Sequence, residues 1–533
     1  MTGDQLEAVR EGYTFQGPAL ELGALVVGDT VDASAPVRIP LALLNRHGLV
    51  AGATGTGKTK TLQVLAEQLS DLGVPVFLAD IKGDVSGMAV AGESNEKITA
   101  RMTEMGQTWE PKAYPCEFFT LGGHGTGIPI RATITDFGPV LLSKVLGLTD
   151  VQASSLNLVF HFADNKGWPL LDLKDLRAVI QFLISEDGAS ELRNLGGLAK
   201  PTAGVLLREL IAFSDAGAED FFGEPEFKTS DLLRTTAEGK GIVSILELPG
   251  VVAQPALFSS FLMWLLADLF QELPEVGDID KPRLVFFFDE AHLLFKDASK
   301  QFLEQITQTV RLIRSKGIGI FFVTQTPKDV NADVLAQLGN RVQHALRAYT
   351  PDDAKALKAT ASTFPVSSYD LQEVLTQLGT GEAIITVLNE KGVPTPVAWT
   401  RLRAPQSLMA QADPSVLTAA MNASPLTPTY ATTVDRESAY EMLAARLNPQ
   451  GDVGSVTPDQ GSYPQGDPQA APPATAAPSA KASTRQAAPA KPEPGMVEQV
   501  LGSRTTQTVL KSFAAAAGAA IARTLFGTAK RKR

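Results

Sequence analysis

The residues of this 533-residue chain best suited to chemistry begin at Gly52-Ala53-Thr54-Gly55-Thr56-Gly57-Lys58-Thr59-Lys60. A glycine, four residues, then Gly-Lys-Thr is the spacing of a phosphate-binding P-loop. The glycines let successive backbone N–H groups curl around phosphate oxygens with no Cβ in the way. Lys58 is placed to reach the β- and γ-phosphates, and the Thr59 hydroxyl to ligate Mg²⁺. The start of the helix that follows adds its positive end. The whole run from Gly52 to Lys60 is therefore the expected nucleotide-binding segment.

A phosphate cradle hydrolyses nothing without a carboxylate partner. Asp289 and Glu290 follow the apolar run Leu284 to Phe288. Asp289 fits the Walker B aspartate that holds Mg²⁺, and Glu290 fits the base that polarises an attacking water. The alternative for Glu290 is a helix cap or a lysine pair. Gln325, at the end of the next apolar run, either senses the γ-phosphate and orients water, or satisfies a loop backbone. Many such sites are completed by an arginine from a neighbouring subunit. Arg311, Arg314, Arg341 and Arg347 are candidates, with Arg314 and Arg341 preferred; a helix C-terminus or an exposed ion pair is the ordinary role of such residues. His292 reads as structural. Asp80-Ile81-Lys82-Gly83-Asp84 lies either near the nucleotide or in a solvated turn, since ligands of open α/β sheets sit beyond strand carboxyl ends.

The elements that must position these groups are legible as short apolar runs. Leu49–Ala51, Val76–Asp80, Glu117–Leu121, Gly241–Leu246, Leu284–Phe288, Ile318–Val323, Val342–Ala348 and Ala383–Leu388 read as strands, and Val393–Arg403 as the return of a hairpin. Apolar residues at helical spacing mark Thr61–Leu72, Ala256–Leu273, Lys300–Ser315, Asp352–Ala361 and Ser368–Leu378 as helices. The fold class expected from the alternation is α/β with a mainly parallel sheet. Between about 138 and 239 the pattern is helical throughout, which predicts an inserted helical subdomain.

Four segments follow: a β-rich segment over 1–46, with small strands at Tyr13–Phe15, Leu25–Val27 and Val37–Ile39; the ATPase-type core over 47–403; an exposed, disordered linker over 404–495 with one exposed helix at Glu437–Leu447; and an amphipathic helix with a basic tail over 496–533. The linker is rich in Pro, Ala, Gln and Ser, too poor in large apolar residues to offset its ordering entropy.

A formal net charge of -11 excludes a protein built to coat nucleic acid, so such contact must be local or come from a pore. One cysteine, Cys116, excludes an intrachain disulfide and fits a cytoplasmic location. The Lys530-Arg531-Lys532-Arg533 tail can bind phosphate or a membrane surface, or simply be solvated.

Taken in order, Gly52–Thr59, Asp80–Asp84, Phe288-Asp289-Glu290-Ala291-His292, Arg311–Gly317 and Thr324-Gln325-Thr326-Pro327 resemble the HerA/FtsK superfamily of P-loop NTPases, most closely bacterial HerA-like proteins of the YjgR type. The resemblance covers roughly 12–403. It implies a RecA-like P-loop core, ATP and Mg²⁺ as cofactors, a homo-oligomer in the form of a hexameric ring, double-stranded DNA as the track, and a nuclease or other protein partner. It assigns Lys58 and Thr59 to phosphate and metal, Asp289 and Glu290 to metal and water activation, and Gln325 to sensing. Archaeal HerA proteins carry a β-barrel before the P-loop, where about 47 residues stand here. The function expected is Mg²⁺-dependent ATP hydrolysis by a HerA-like motor, a DNA helicase or translocase. The alternative is a regulatory or scaffolding ATPase that binds protein partners, at the membrane if the C-terminal tail contacts it.

Overall fold

Runs of Val, Ile, Leu and Phe without polar interruption have nowhere to go but between two layers of helices. In the computed structural model the described residues are 3–447, apart from 124, 193–195, 249–254, 278 and 296–299. They build a twelve-stranded sheet from β1 (Ala19–Val27), β2 (Thr30–Pro40), β3 (Gly48–Ala51), β4 (Val76–Asp80), β5 (Cys116–Leu121), β6 (Ile128–Ile130), β7 (Val243–Glu247), β8 (Leu284–Phe288), β9 (Ile318–Thr324), β10 (Asn340–Gln343), β11 (Glu382–Thr386) and β12 (Ala398–Leu402). The order is β2-β1-β12-β11-β10-β3-β9-β8-β4-β7-β5-β6. From β10 to β6 every pairing is parallel, whereas β10 to β2 run antiparallel. This is the α/β, RecA-like arrangement. Prolines stand in both outermost strands, Pro36 and Pro40 in β2 and Pro129 in β6.

Strand alternation sorts the core into two layers. Leu284, Phe286 and Phe288 of β8 face a layer containing the helix Pro255–Glu272 and the helices between Ile134 and Asp215. Val285 and Phe287 face the opposite layer, with Leu62, Leu65 and Leu69 of the helix Lys58–Asp71. Aromatic contacts continue across strands, with Phe287 and Phe321 ring centroids 5.2 Å apart. A Cβ on Gly48 would meet the Phe321 ring at 2.2 Å, so β3 can lie against β9 only with glycine there.

The ends of the chain depart from the expectations. Gly3–Gly12 is a helix, and Tyr13–Phe15 is not a strand. Tyr13 is instead a buried anchor whose hydroxyl lies 2.9 Å from the carbonyl oxygens of both Ile385 and Pro396. The hairpin β1–β2 is longer than the short strands expected, and the short β6 after β5 was not among the strands expected. β10 ends at Gln343, short of the expected Ala348; beyond it His344 N–H donates to the Ala51 carbonyl at 2.7 Å and the Ala345 carbonyl accepts the Ala53 N–H.

The exposed linker expected from 404 is corrected as far as 447. Glu67, on the helix after the P-loop, accepts the backbone N–H groups of Gln406 and Ser407 at 2.9 Å each. Gln63 Nε2 donates to the Leu408 carbonyl at 2.8 Å. Leu417, Leu426, Tyr430, Ala439 and Leu443 are buried, and the Tyr430 hydroxyl donates to Asp231 at 2.7 Å. The stretch is held by polar anchors and widely spaced apolar residues, which leave no periodic signal. The remaining expectations, disorder over 448–495 and a helix with a basic tail over 496–533, lie outside the described residues. No helix among the described residues is long and apolar enough to cross a membrane.

His47 locks the start of β3. Its Nδ1 accepts the Ile320 N–H at 3.1 Å, so the ring proton sits on Nε2, which donates to the Val310 carbonyl at 2.7 Å. Burial pushes its pKa down to about 4, helped by Arg314 and Arg46. Because the unfolded chain takes up this proton near pH 6.5, the stability carried by neutral His47 is complete above that pH and is lost as pH falls toward 4. Between pH 7 and pH 5 the loss amounts to about 2 kcal/mol. Urea denaturation of His47→Gln at the two pH values should show a correspondingly smaller acid effect than the parent.

Candidate nucleotide site

The carboxyl ends of the parallel strands converge on the loop that leaves β3. Gly52 N–H donates to the Thr324 carbonyl at 3.2 Å and Ala53 N–H to the Ala345 carbonyl at 2.8 Å, pinning the loop between β9 and β10. A Cβ on Gly52 would lie 2.4 Å from His344 Cβ. Gly55 and Gly57 have φ of 78° and 114°, in the left-handed region that glycine enters without penalty. Gly57 is also the N-cap of the helix Lys58–Asp71, which aims its free N–H groups at the loop.

Lys58 is buried, and its ammonium donates to the carbonyls of Gly52 at 2.8 Å and Ala53 at 3.2 Å. Burial lowers its pKa, opposed by Glu290 and Asp289. Thr59 follows, half-buried, in the first turn of the helix. Lys60 differs from expectation: its ammonium donates to Gln63 at 3.1 Å and lines a separate small cavity with Lys97 and Arg101. Its backbone belongs to the first turn of the helix.

β8 delivers Asp289 and Glu290 two strands away from β3, with β9 between. Asp289 Oδ1 accepts the Glu290 N–H at 2.9 Å, while Oδ2 is buried with no hydrogen-bond partner. Burial, then the like charge of Glu290, pushes the Asp289 pKa up to about 7. An orphaned carboxylate oxygen at this position suits a hard cation, whose charge would offset that penalty. Mg²⁺ is commonly held by one or two protein oxygens together with water and substrate phosphates. Asp289 and Thr59 would supply those oxygens.

Glu290 adopts φ 47°, unusual for a residue with a side chain and found at constrained sites. Its Oε1 is ion-paired with Lys82, and Oε2 lies 3.1 Å from His292 Nδ1 without hydrogen-bond geometry. Burial works to raise the Glu290 pKa, but Lys82 outweighs it and the net direction is down. Lys82 owes its place to Asp80, whose carboxylate accepts the N–H groups of Lys82 at 3.2 Å, Gly83 at 2.8 Å and Val85 at 2.9 Å.

Gln325 is exposed at the end of β9 and shares a cleft of about 450 Å³ with Ala53, Thr54, Lys328, Arg347 and Leu357. Arg314 and Arg341 are not brought to their own loop. Arg314 precedes β9, at the amino edge of the sheet, where its charge acts on His47. Arg341 sits in β10 opposite Leu49 and donates to the Thr363 carbonyl at 3.3 Å. Arg347 lines the cleft.

The Asp80–Asp84 run does reach the site, through Lys82, and the lysine pair named as the alternative for Glu290 is present. From sequence Lys82 had no role of its own, and His344 was not singled out. His344 gave no signal: it is buried under the loop, its Nε2 2.9 Å from the Thr61 hydroxyl, and burial beside Lys58 pushes its pKa down to about 3.

The family described as Helicase HerA-like C-terminal matches residues 27–533. The chain belongs to that family. It is thereby a P-loop protein of the HerA/FtsK type. It is 25% identical over 368 residues to the DNA double-strand break repair helicase HerA of Sulfurisphaera tokodaii, covering 68% of this chain and 66% of that protein. It is 24% identical over 371 residues to the helicase of the same name from Sulfolobus acidocaldarius, with the same coverage. The chain thus spans just under two thirds of the length of these relatives. The fold is similar to the plasmid coupling protein TrwB in complex with ADP and Mg²⁺, with TM-score 0.52, 17% identity, and 78% of this chain and 94% of that one covered.

If Asp289 Oδ2 is a metal ligand, Mg²⁺ should tighten ADP binding to the parent, and Asp289→Asn should lose roughly tenfold or more of that gain. Titration with a fluorescent ADP analogue, with Mg²⁺ or with EDTA, reads the difference directly.

Proposed function

We propose that the protein is an Mg²⁺-dependent ATP hydrolase that works as a DNA-translocating or unwinding motor within an oligomeric ring. The observation that carries hydrolysis is the pair Asp289-Glu290 at the end of β8, facing a P-loop two strands away with Gln325 between them. Loop N–H groups, the helix N-terminus and Lys58 bind the phosphates. Thr59 and Asp289 hold Mg²⁺, which when bound neutralises charge on the terminal phosphates. Glu290 accepts the proton of the attacking water, and Gln325 orients that water or senses the phosphate.

The motor reading rests on the HerA relatives, which are named as DNA repair helicases. It makes duplex DNA the track and a ring of identical chains, six by family resemblance, the working form. Arg314 and Arg341, remote from their own loop, are then candidates to complete a neighbour's site. A nuclease or other protein partner, contact of the C-terminal tail with a membrane surface and a cytoplasmic location belong to the same proposal.

Duplex DNA should raise the ATPase rate severalfold, and Lys58→Ala should abolish hydrolysis with or without DNA. Mass measurement in ATP should show a ring-sized assembly. A monomer in ATP whose hydrolysis ignores every nucleic acid would sink the motor, leaving a regulatory or scaffolding ATPase.

A further inference from the structure

Glu290 is placed as a base, yet its charge is already held by a cation. Its side chain is 7% exposed: Oε2 is buried beside His292, and Oε1 is ion-paired with Lys82. The Lys82 side chain, by contrast, is 48% exposed, so the pair joins a half-exposed lysine to a buried carboxylate. This is no chance contact of a flexible lysine. The three N–H groups accepted by Asp80 hold the loop, Gly83 turns it at φ 75°, and Leu248 N–H fastens the Asp80 carbonyl at 2.9 Å. Lys82 also lies within electrostatic reach of Lys58 and Asp289, the phosphate lysine and the metal carboxylate. Two ammonium groups therefore bracket the space between P-loop and β8.

We propose that Lys82 is a γ-phosphate sensor, paired with Glu290 before nucleotide binds and transferred to the terminal phosphate of a bound triphosphate. The assignment rests on the ATPase reading above and adds a residue and an order of events to it. A terminal phosphate offers more negative charge and more acceptor oxygens than one carboxylate. A phosphate held by Lys58 stands within the electrostatic reach of Lys82 as well. Once the ammonium shifts, Glu290 Oε1 is released to accept the proton of water. With a diphosphate, on this assignment, the pair with Glu290 persists and the base stays engaged. The two carboxylate states thus follow the presence of the very phosphate that is to be cleaved.

The test is calorimetric titration of the full chain with Mg²⁺ and either ADP or a triphosphate analogue carrying an imido β,γ-bridge. Lys82→Ala should weaken the triphosphate analogue about tenfold, the scale of one charge-assisted contact, and change ADP binding less than about twofold. Lys82→Arg, which keeps the charge, should restore most of the loss. Glu290→Gln removes the competitor for Lys82 and should tighten the triphosphate analogue severalfold while leaving ADP unchanged. Equal weakening of both nucleotides by Lys82→Ala, or of neither, overturns the assignment and makes the ion pair purely structural. Failure of the unsubstituted protein to bind either nucleotide overturns the ATPase reading itself, and the sensor with it.

Discussion

A carboxylate placed in a low-dielectric interior must find a cation, a set of donors or a proton, and this requirement governs the carboxyl edge of the sheet. β8 carries five consecutive apolar residues, Leu284 to Phe288, all buried. Their burial on both faces drags Asp289 and Glu290 into the centre of the fold. Each acid there is answered differently. Asp80 is satisfied by backbone N–H groups, Glu290 by Lys82, and Asp289 by only one donor, leaving an oxygen for a metal. The site is a set of answers to one electrostatic problem.

The rigidity needed to hold those answers comes from the other face of the same strands. Val285 and Phe287 pack toward the helix that begins at Lys58, so the phosphate loop and the carboxylates rest on one core. His47, at the opposite end of β3, ties that strand to β9 and to the helix Lys300–Ile313 through a neutral ring. Loop and carboxylates therefore cannot drift apart without disturbing buried aromatic contacts.

The central strands and the helices that flank them were legible because continuous apolar runs and 3.6-residue periodicity each have one structural meaning at sufficient length. The Gly52–Thr59 loop was legible for a different reason: its residue types are required by backbone conformation, as Gly55 and Gly57 show. What escaped reading depends on long-range pairing. Tyr13 is anchored by carbonyls more than 370 positions away, and the stretch after 404 is held to Glu67 and Gln63 by backbone groups that any residue type could provide. The partner of Lys82 escaped for a related reason, although its run was placed near the nucleotide as one of two readings. A charged residue in a turn is ordinarily solvated, and only the register of β4 against β8 brings it to Glu290.

The edges of the sheet carry a consequence for how copies of this chain can meet. An outer strand normally offers its free backbone as a template on which another sheet can grow. Here β2 contains Pro36 and Pro40, and β6 is three residues long with Pro129 at its middle. Proline has no N–H to offer and is tolerated only where no further strand is to be added. Both margins are therefore poor templates for strand addition. Any contact between copies of this chain would fall instead to helices and loops, surfaces that can slide or rotate against one another without breaking a hydrogen-bond ladder.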